Sequence, residues 1–246
     1  SYKDFNRLWE DNGKGLQKLV DYCRKDSILA LELVEKKRLL DKYVALSRAS
    51  GVLLKEVLGG GETIRIENVL LKEFNKRDIL FPAKPSDKDV YERREQRKKS
   101  GLKGGLVLDP DAGFHTNGYV VVLDFKSLYP SIIRTYNICP TTLVKGDGED
   151  VVECPLGTKF IKRDVKEGIL PYVLEKLINK RSAVKKNMYK EKDPEKKSLL
   201  NAKQLALKIL ANSFYGYTGY LRAKTYVMEV ANTITFFGRH LLERTR

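Results

Sequence analysis

The residue best suited to metal or phosphoryl chemistry in this sequence is Asp124, which directly follows the apolar residues 119–123. An ionised carboxylate at the end of a buried apolar strand is costly unless a cation meets it, and a metal ion would do so. Mg²⁺ commonly bridges carboxylates and phosphates, and the backbone N–H groups after Asp124 could hold a triphosphate. Taken alone, Asp124 is equally consistent with an aspartate that caps a turn.

A second candidate group lies on one predicted helix, where Lys208, Asn212 and Tyr215 have the spacing of a shared face. A lysine beside the β- and γ-phosphates of a nucleotide neutralises charge that shifts during phosphoryl transfer, and Tyr215 could pack against a base pair. On the preceding predicted helix, Arg181 and Lys185 are one turn apart. Such residues are also common on solvated helix faces, so their spacing alone does not establish a site.

Together these segments resemble two motifs of the family B DNA polymerases. Residues 124–131 are similar to motif A, Asp-x-x-Ser-Leu-Tyr-Pro-Ser, and residues 208–216 are similar to motif B, Lys-x-x-x-Asn-Ser-x-Tyr-Gly. The resemblance implies a catalytic Asp124 and a site for two Mg²⁺ ions at Asp124 and Phe125. It also implies these nucleotide-binding residues: Ser127, Leu128, Tyr129, Arg181, Lys185, Lys208 and Asn212.

The same resemblance assigns roles to the aromatic and glycine residues of the two motifs. Tyr129 would lie under the sugar, where a flat ring leaves no room for the 2′-hydroxyl that distinguishes a ribonucleotide. Tyr215 and Gly216 would contact the templated base pair. These roles predict a site that selects deoxynucleotides.

Two shorter matches extend the resemblance upstream. Tyr22 and Asp26 fit Tyr-x-x-x-Asp, the third motif of the family's 3′–5′ exonuclease, in which the Asp binds metal and the Tyr orients water. The alternative for both is an ordinary helix surface, and without the first two acidic motifs we expect no complete proofreading site. Gly104 and Gly105 lie where the family often has Tyr-x-Gly-Gly, a template contact, although Leu102 replaces the tyrosine.

A second catalytic carboxylate is missing from this set. Two-metal phosphoryl transfer holds its ions roughly 4 Å apart, which requires carboxylates beyond Asp124. The family supplies them from an Asp-Thr-Asp hairpin after motif B, and the 246 residues contain no such motif. Asp109 and Asp111 precede motif A and flank a rigid proline, so we interpret them as a turn. We therefore expect a continuation of the chain or a separate subunit to supply the missing carboxylates and the thumb.

The charge of the chain points to a polyanionic partner. Lys and Arg number 47 against 32 Asp and Glu, a formal net charge of +15, and the excess is concentrated at residues 91–103 and 176–197. Solvated helix faces are the alternative for each of these runs. Three scattered cysteines exclude a disulfide framework, and no run approaches the roughly 18 apolar residues of a membrane span.

The elements that must position these residues are mostly helices. Apolar residues at three- and four-residue steps predict helices with one buried face over residues 15–49 and a further helix over 64–74. Helices over 169–190 and 195–214 would form an antiparallel hairpin, and another is expected over 231–243. Short apolar runs predict two β-hairpins. Their strands are 104–108 with 119–125, and 151–154 with 159–161.

The sequence thus predicts an α+β fold. The resemblance implies a family B palm, an antiparallel sheet with helices, together with a two-helix fingers hairpin and the helical end of an exonuclease domain. The expected boundaries are 1–37 for the exonuclease end, 38–88 for a helical connector, 89–168 and 220–246 for the palm, and 169–219 for the fingers.

The implied function is DNA-templated DNA synthesis, incomplete in this chain alone and carrying a remnant of proofreading. The implied partners are primer-template DNA, a dNTP and the remaining polymerase segment, with a sliding clamp as a further candidate and no membrane. We expect a cytoplasmic enzyme in an archaeon or a nuclear one in a eukaryote. A non-catalytic nucleic-acid-binding relative is the alternative. An unrelated nucleotide-binding enzyme is disfavoured because the sequence has no Gly-x-x-x-x-Gly-Lys-Ser/Thr loop.

Overall fold

The computed structural model describes residues 2–10, 15–100, 104–146 and 148–245, and helices dominate it. After a short 3₁₀ turn at Tyr2–Asp4, the helices are α1 (Phe5–Glu10), α2 (Leu16–Lys36), α3 (Leu39–Ser50), α4 (Leu54–Gly59), α5 (Glu62–Asn75), α6 (Asp87–Ser100), α7 (Leu128–Thr135), α8 (Ile169–Lys190), α9 (Pro194–Thr218) and α10 (Met228–Thr245). The strands are β1 (Leu143–Val144), β2 (Val151–Glu153) and β3 (Lys159–Ile161). They form an antiparallel sheet in the order β1-β3-β2.

The predicted helical hairpin is confirmed as α8 and α9. Asp193 is the N-cap of the second helix: its side chain accepts hydrogen bonds from the N–H groups of Glu195 (2.8 Å) and Lys196 (3.3 Å), and Pro194 occupies the first turn. Because only residues 191–193 connect the helices, they must run antiparallel. The second helix continues four residues beyond the predicted end because Phe214 and Tyr217 are both buried.

The core of the chain lies where five helices meet. α7 is nearly enclosed, with Ile132 and Ile133 buried between α8, α9 and α10. The stacked rings of Tyr136 and Phe237, with centroids 4.0 Å apart, join the end of α7 to α10. The remaining buried side chains of this core come mainly from α5, α8 and α9. The five helices therefore form one apolar core around α7.

Asn137, directly after α7, fixes the end of that helix to the start of α8. Its side chain is 1% exposed and makes three hydrogen bonds to the backbone. Nδ2 donates to the carbonyls of Ile161 (2.7 Å) and Lys166 (2.8 Å), and Oδ1 accepts from the N–H of Gly168 (2.9 Å). Asn137 has a φ of 51°, a left-handed conformation that asparagine adopts more readily than most residues.

A second link joins α5 to α8 at Glu73. Its buried carboxylate accepts hydrogen bonds from Arg77 (2.9 Å) and Lys76 (3.1 Å) and lies 3.6 Å from Lys176 on α8. Arg77 and Lys176 also lie over the ring of Tyr172. Burial raises the pKa of Glu73, but the hydrogen bonds and the positive charges together hold that pKa below its ordinary value.

The predicted hairpin of residues 104–108 with 119–125 is wrong, whereas the second hairpin is confirmed as β2 and β3. Residues 104–125 are all described and contain no strand, and Val120 to Leu123 are between 71% and 87% exposed. An apolar run becomes a strand only when another strand satisfies its backbone N–H and C=O groups. No described segment pairs with this run.

Two further details of the prediction are corrected, and a third lies outside the described residues. α2 is helical as predicted, but none of its residues is buried, and its main packing partners among the described elements are α1 and α3. The extended piece expected at 224–229 is not a strand: residues 224–225 form a turn, and residues 228–229 already belong to α10. Leu102 lies outside the described residues. Within the described ranges, no helix has the length and apolarity that a membrane crossing requires.

Replacing Asn137 with Ala should lower the free energy of unfolding by about 3 kcal/mol, since buried partners lose hydrogen bonds and alanine is strained at this φ. Urea denaturation followed by circular dichroism measures the change. Asn179→Ala on the exposed side of α8 is the matched control and should stay within about 0.5 kcal/mol of the parent. Equal stability of the two variants would contradict the structural role of Asn137.

Replacing Glu73 with Gln should lower the free energy of unfolding by about 1 kcal/mol at pH 7, because charged hydrogen bonds are lost. Since the pKa of Glu73 is lower in the folded state, its stabilisation is present above about pH 4.3 and is lost as the pH falls through the folded-state value. Urea denaturation at several pH values should show the difference shrinking below pH 4. Glu35→Gln, at an exposed position of α2, should show no such trend.

Candidate active site

A cleft of about 1040 Å³ lies between the N-terminal end of α7 and the α8–α9 hairpin. It gathers almost all of the residues that the sequence predicted for metal, nucleotide and base-pair contact. Those that border it are Asp124, Phe125, Ser127, Leu128, Tyr129, Arg181, Lys185, Lys208, Asn212 and Tyr215. The cleft thus brings together side chains from three separate sequence segments, 124–130, 178–189 and 208–215.

The cleft is strongly cationic. Its basic side chains are Lys126, Arg181, Lys185, Lys186 and Lys208, and its one acidic side chain is that of Asp124. Among the described residues, none of these five cations forms an ion pair. Cations without a carboxylate partner are available to a polyanionic ligand, and a triphosphate would neutralise several of them at once.

The cationic side chains are carried by packed helices. Arg181 donates from Nε to Oε1 of Gln204 on α9 at 3.2 Å, and the buried Gln204 in turn donates to Asn201 at 2.9 Å. Lys208 lies four residues after Gln204, one turn further along α9. The same helix therefore positions Lys208 and the residue that holds Arg181. The spacing of Arg181 and Lys208 is therefore fixed by the core between α8 and α9.

The turn after Asp124 has an unusual backbone conformation. Ser127 has φ 55° and ψ 57°, the left-handed region that residues other than glycine seldom adopt, and α7 begins at the next residue. Two hydrogen bonds from Ser131 close the turn, one from its N–H to the Ser127 carbonyl (2.9 Å) and one from its hydroxyl to the Lys126 carbonyl (3.0 Å). The first N–H groups of α7 have no partner within the helix and border the cationic cleft.

Two tyrosines form the aromatic side of the cleft. The rings of Tyr129 and Tyr215 have centroids 4.4 Å apart and are tilted by 36°. Burial, together with the neighbouring Tyr129, raises the pKa of Tyr215 above its ordinary value, although Arg97 and Arg239 oppose the shift. A tyrosine hydroxyl is protonated at neutral pH in any case, and this shift keeps it so, which leaves the Tyr215 hydroxyl able to donate a hydrogen bond.

The glycine pair expected to contact a template lies beside this aromatic side. A Cβ built on Gly105 would be 2.9 Å from the Tyr129 hydroxyl, so the backbone approaches that hydroxyl closely. The carbonyl of Gly104 accepts a hydrogen bond from Arg239 on α10 at 2.7 Å. Gly105 thus lies beside Tyr129 and Gly104 is bound to α10, and the contact of both glycines with DNA stays a prediction.

Gly216 borders a different cleft, of about 650 Å³, on the side of α9 that faces α5. Lys208, Asn212 and Tyr215 line both clefts, so this part of α9 is the wall between them. The hydroxyl of Ser213 donates to Glu62 on α5 at 2.7 Å and joins the two helices. The predicted contact of Gly216 with a base pair would require the nucleic acid to reach this second cleft.

Sequence reasoning did not separate Arg93 from the other basic residues of α6. Arg93 donates to the carbonyls of Leu221 (2.7 Å) and Ala223 (2.9 Å) and lies over the ring of Tyr226. It therefore anchors the turn between α9 and α10, whereas Lys98 makes an exposed pair with Glu95. No signal in the basic run distinguishes the anchoring arginine from its solvated neighbours.

The predicted exonuclease residues are not brought to the cleft. Tyr22 and Asp26 are exposed on α2, where the Tyr22 ring contacts Phe5 of α1. In the part of the chain that the structure describes, no three His, Cys, Asp or Glu side chains gather into a metal-binding group. Asp124 and the backbone carbonyl of Phe125, the one donor a phenylalanine can offer, fit one side of a Mg²⁺ site but do not complete it.

Comparison with known proteins gives a consistent result. Residues 52–246 match DNA polymerase family B. The chain is 36% identical to the DNA polymerase delta catalytic subunit of Dictyostelium discoideum, covering 94% of this chain and 20% of that protein. It is 34% identical to the DNA polymerase delta catalytic subunit of Oryza sativa subsp. japonica, covering 97% of this chain and 22% of that protein. The chain therefore spans about a fifth of the length of these relatives.

A solved structure is similar over the same extent. The family B DNA polymerase from the hyperthermophilic archaeon Pyrobaculum calidifontis aligns with a TM-score of 0.77 and 33% identity. The alignment covers 97% of this chain and 30% of that one. Both the backbone and the sequence thus match part of a larger protein.

Replacing Lys208 with Ala should weaken the binding of tripolyphosphate to the chain about tenfold, because one charged contact in the cleft is lost. Isothermal titration calorimetry at low ionic strength measures the affinity, which should also fall with added salt. Lys203→Ala is the matched control, since Lys203 is exposed on α9 outside this cleft, and should change the affinity less than about twofold. Similar losses for both variants would mean that the anion binds to the general surface charge.

Proposed function

Because the chain belongs to DNA polymerase family B, we propose that it forms the nucleotide-binding part of an enzyme that transfers a deoxynucleotide to the 3′-hydroxyl of a primer. The observation that carries this proposal is the single cleft in which Asp124, Tyr129, Arg181 and Lys208 meet. A carboxylate, an aromatic ring and clustered cations are the groups that the metal, the sugar and the triphosphate of a nucleotide require. The proposed substrates are a dNTP and primer-template DNA.

The cations of the α8–α9 hairpin would bind the triphosphate. Arg181 is held by Gln204 and Lys208 by its place on α9, so both are positioned before the ligand arrives. Fixed charges of this kind stabilise the negative charge that moves onto the leaving pyrophosphate. Two Mg²⁺ ions held by Asp124, Phe125 and further carboxylates would supply activation of the primer hydroxyl and neutralisation of the leaving group.

The aromatic pair would read the sugar and the base pair. Tyr129 is proposed to lie under the sugar, where its ring would collide with a 2′-hydroxyl. Tyr215, which packs against Tyr129 and keeps its proton at neutral pH, is proposed to contact the templated base pair, with Gly216 beside it. One aromatic pair would thus link sugar selection to base-pair contact.

The exposed apolar run before Asp124 supports a partner segment. Val120 to Leu123 are strongly β-forming residues without a pairing strand among the described residues, so a strand from another part of the polymerase is proposed to cover them. A segment with Asp-Thr-Asp and a thumb would then bring the missing carboxylates next to Asp124. We propose a sliding clamp as a further partner of the complete enzyme.

The domain assignment follows from the same proposal. Residues 169–219 would be the fingers, and residues 89–168 and 220–246 two parts of the palm. Residues 1–37 would end an exonuclease domain, with residues 38–88 as the helical connector. The exposed apolar surface of α2 is consistent with a domain that packs on it, and Tyr22 and Asp26 would belong to that domain. Its proofreading activity would need acidic residues from elsewhere.

Replacing Asp124 with Asn in the complete polymerase that contains this chain should reduce primer extension by about 10³-fold or more, since a metal ligand is lost. Gel-based extension of a labelled primer under single-turnover conditions measures the rate. Asp111→Asn, in the exposed link before the apolar run, is the matched control and should keep the parental rate. Parental extension by Asp124→Asn would contradict the proposal.

The 246-residue chain alone should bind primer-template DNA in a salt-dependent way without extending it, because its carboxylate set is incomplete. Fluorescence anisotropy measures the binding, and the extension assay measures incorporation. A complete polymerase with intact Asp124 that binds DNA but extends no primer would instead support a non-catalytic nucleic-acid-binding protein. Extension by the isolated chain would contradict the requirement for a second segment.

A further inference from the structure

The ring of Tyr129 is enclosed on three sides. Tyr215 lies against its face with a centroid distance of 4.4 Å. Gly238 of α10 lies against its edge, where a built Cβ would be 2.8 Å from Cε1 of Tyr129. Gly105 lies behind the hydroxyl, where a built Cβ would be 2.9 Å from the oxygen. The remaining side of the ring borders the cationic cleft.

The need for glycine at position 238 is steric. Gly238 lies in the interior of α10 and does not have the positive φ that makes glycine necessary for conformational reasons. Glycine inside a helix is less favourable than alanine, so helix formation does not favour glycine here. A carbon–carbon contact of 2.8 Å is far closer than packed side chains allow, so any side chain at this position must displace the Tyr129 ring or α10.

The position of α10 is fixed on both sides of Gly238. Phe237 stacks on Tyr136 at the end of α7, with an interplanar angle of 10°. Arg239 holds the carbonyl of Gly104, which keeps the neighbouring Gly105 behind the Tyr129 hydroxyl. Three consecutive residues of α10 therefore have three roles. Phe237 anchors the helix to α7, Gly238 contacts the edge of the Tyr129 ring, and Arg239 holds the backbone beside the Tyr129 hydroxyl.

We propose that Gly238 is a positioning residue for Tyr129 and so determines how closely the ring approaches the sugar of a bound nucleotide. This proposal rests on the proposed function of the cleft. A side chain at position 238 would push the ring away from α10. Tyr215 and Gly105 block two other directions, so the ring would move into the cleft. The space for the sugar would then shrink for deoxynucleotides as well as for ribonucleotides.

The test is a double-mutant cycle with Gly238→Ala and Tyr129→Ala, singly and together, in the complete polymerase. Steady-state single-nucleotide incorporation gives KM and kcat for a dNTP and for the matching ribonucleotide. Gly238→Ala should raise the KM for the dNTP about tenfold with a smaller change in kcat, as expected for a ring misplaced by a fraction of an ångström. In the Tyr129→Ala background, adding Gly238→Ala should change the KM less than about twofold, because the ring through which it acts is absent.

The outcomes separate this proposal from the proposed function. If Tyr129→Ala leaves the preference for deoxynucleotides unchanged, the proposed role of Tyr129 is wrong. If Tyr129→Ala admits ribonucleotides but Gly238→Ala leaves the KM unchanged, or raises it equally in both backgrounds, the positioning role of Gly238 is overturned. Gly59→Ala is the matched control, since a Cβ there meets nothing within 4 Å, and should leave KM and kcat at parental values.

A second cycle covers the case in which Gly238→Ala does not fold, as judged from its thermal unfolding temperature. Gly105→Ala places a methyl group against the Tyr129 hydroxyl and should also raise the KM for the dNTP. Tyr129→Phe removes that hydroxyl and should suppress the effect. An equal effect of Gly105→Ala with and without the hydroxyl would show that the backbone behind the ring does not position it.

Discussion

The buried amide of Asn137 fixes the start of α8 against the end of α7, and the cleft lies between the opposite end of α7 and the α8–α9 hairpin. Its three hydrogen bonds join β3, the loop before α8 and the first residue ahead of that helix. A further hydrogen bond reinforces this junction: the hydroxyl of Thr142 donates to the backbone carbonyl of Asn137 at 2.7 Å. Directional bonds in a buried setting permit only one arrangement, whereas apolar packing alone tolerates small shifts.

From that junction the two sides of the cleft follow by packing. α8 and α9 bury apolar residues against each other and against α7, and their remaining faces carry the cations. Like charges repel when no ligand is present, so the apolar core must hold Arg181, Lys185 and Lys208 near one another at an energetic cost. At the α5–α8 contact, Glu73 offsets such repulsion by pairing with Lys176. In the cleft, Asp124 is the one acidic side chain, and no described carboxylate forms an ion pair with the cations.

The sequence predicted best the features that depend on neighbouring residues. α8 begins and ends where its pattern indicates, and Lys208, Asn212 and Tyr215 line one cleft because their spacing is helical. It predicted worst the features that depend on distant partners. The run before Asp124 has the composition of a strand but lacks a pairing strand among the described residues. α7 begins directly after Ser127, whose left-handed backbone conformation cannot be predicted from apolar periodicity. Asn137 and Gly238 act through contacts with segments about 30 and 110 residues away, which local pattern cannot detect.

The exposed run of residues 119–123 also affects how the chain behaves in solution. Tyr, three Val and Leu in succession carry no charge and no proline, the composition that self-pairs into intermolecular β-structure. Asp124 and Lys126 at one end act as gatekeepers, since a charge next to such a run disfavours stacking of identical chains. The net charge of +15 adds mutual repulsion that ionic strength screens. High ionic strength therefore weakens the charge repulsion that protects the exposed run against self-association when the chain is handled alone.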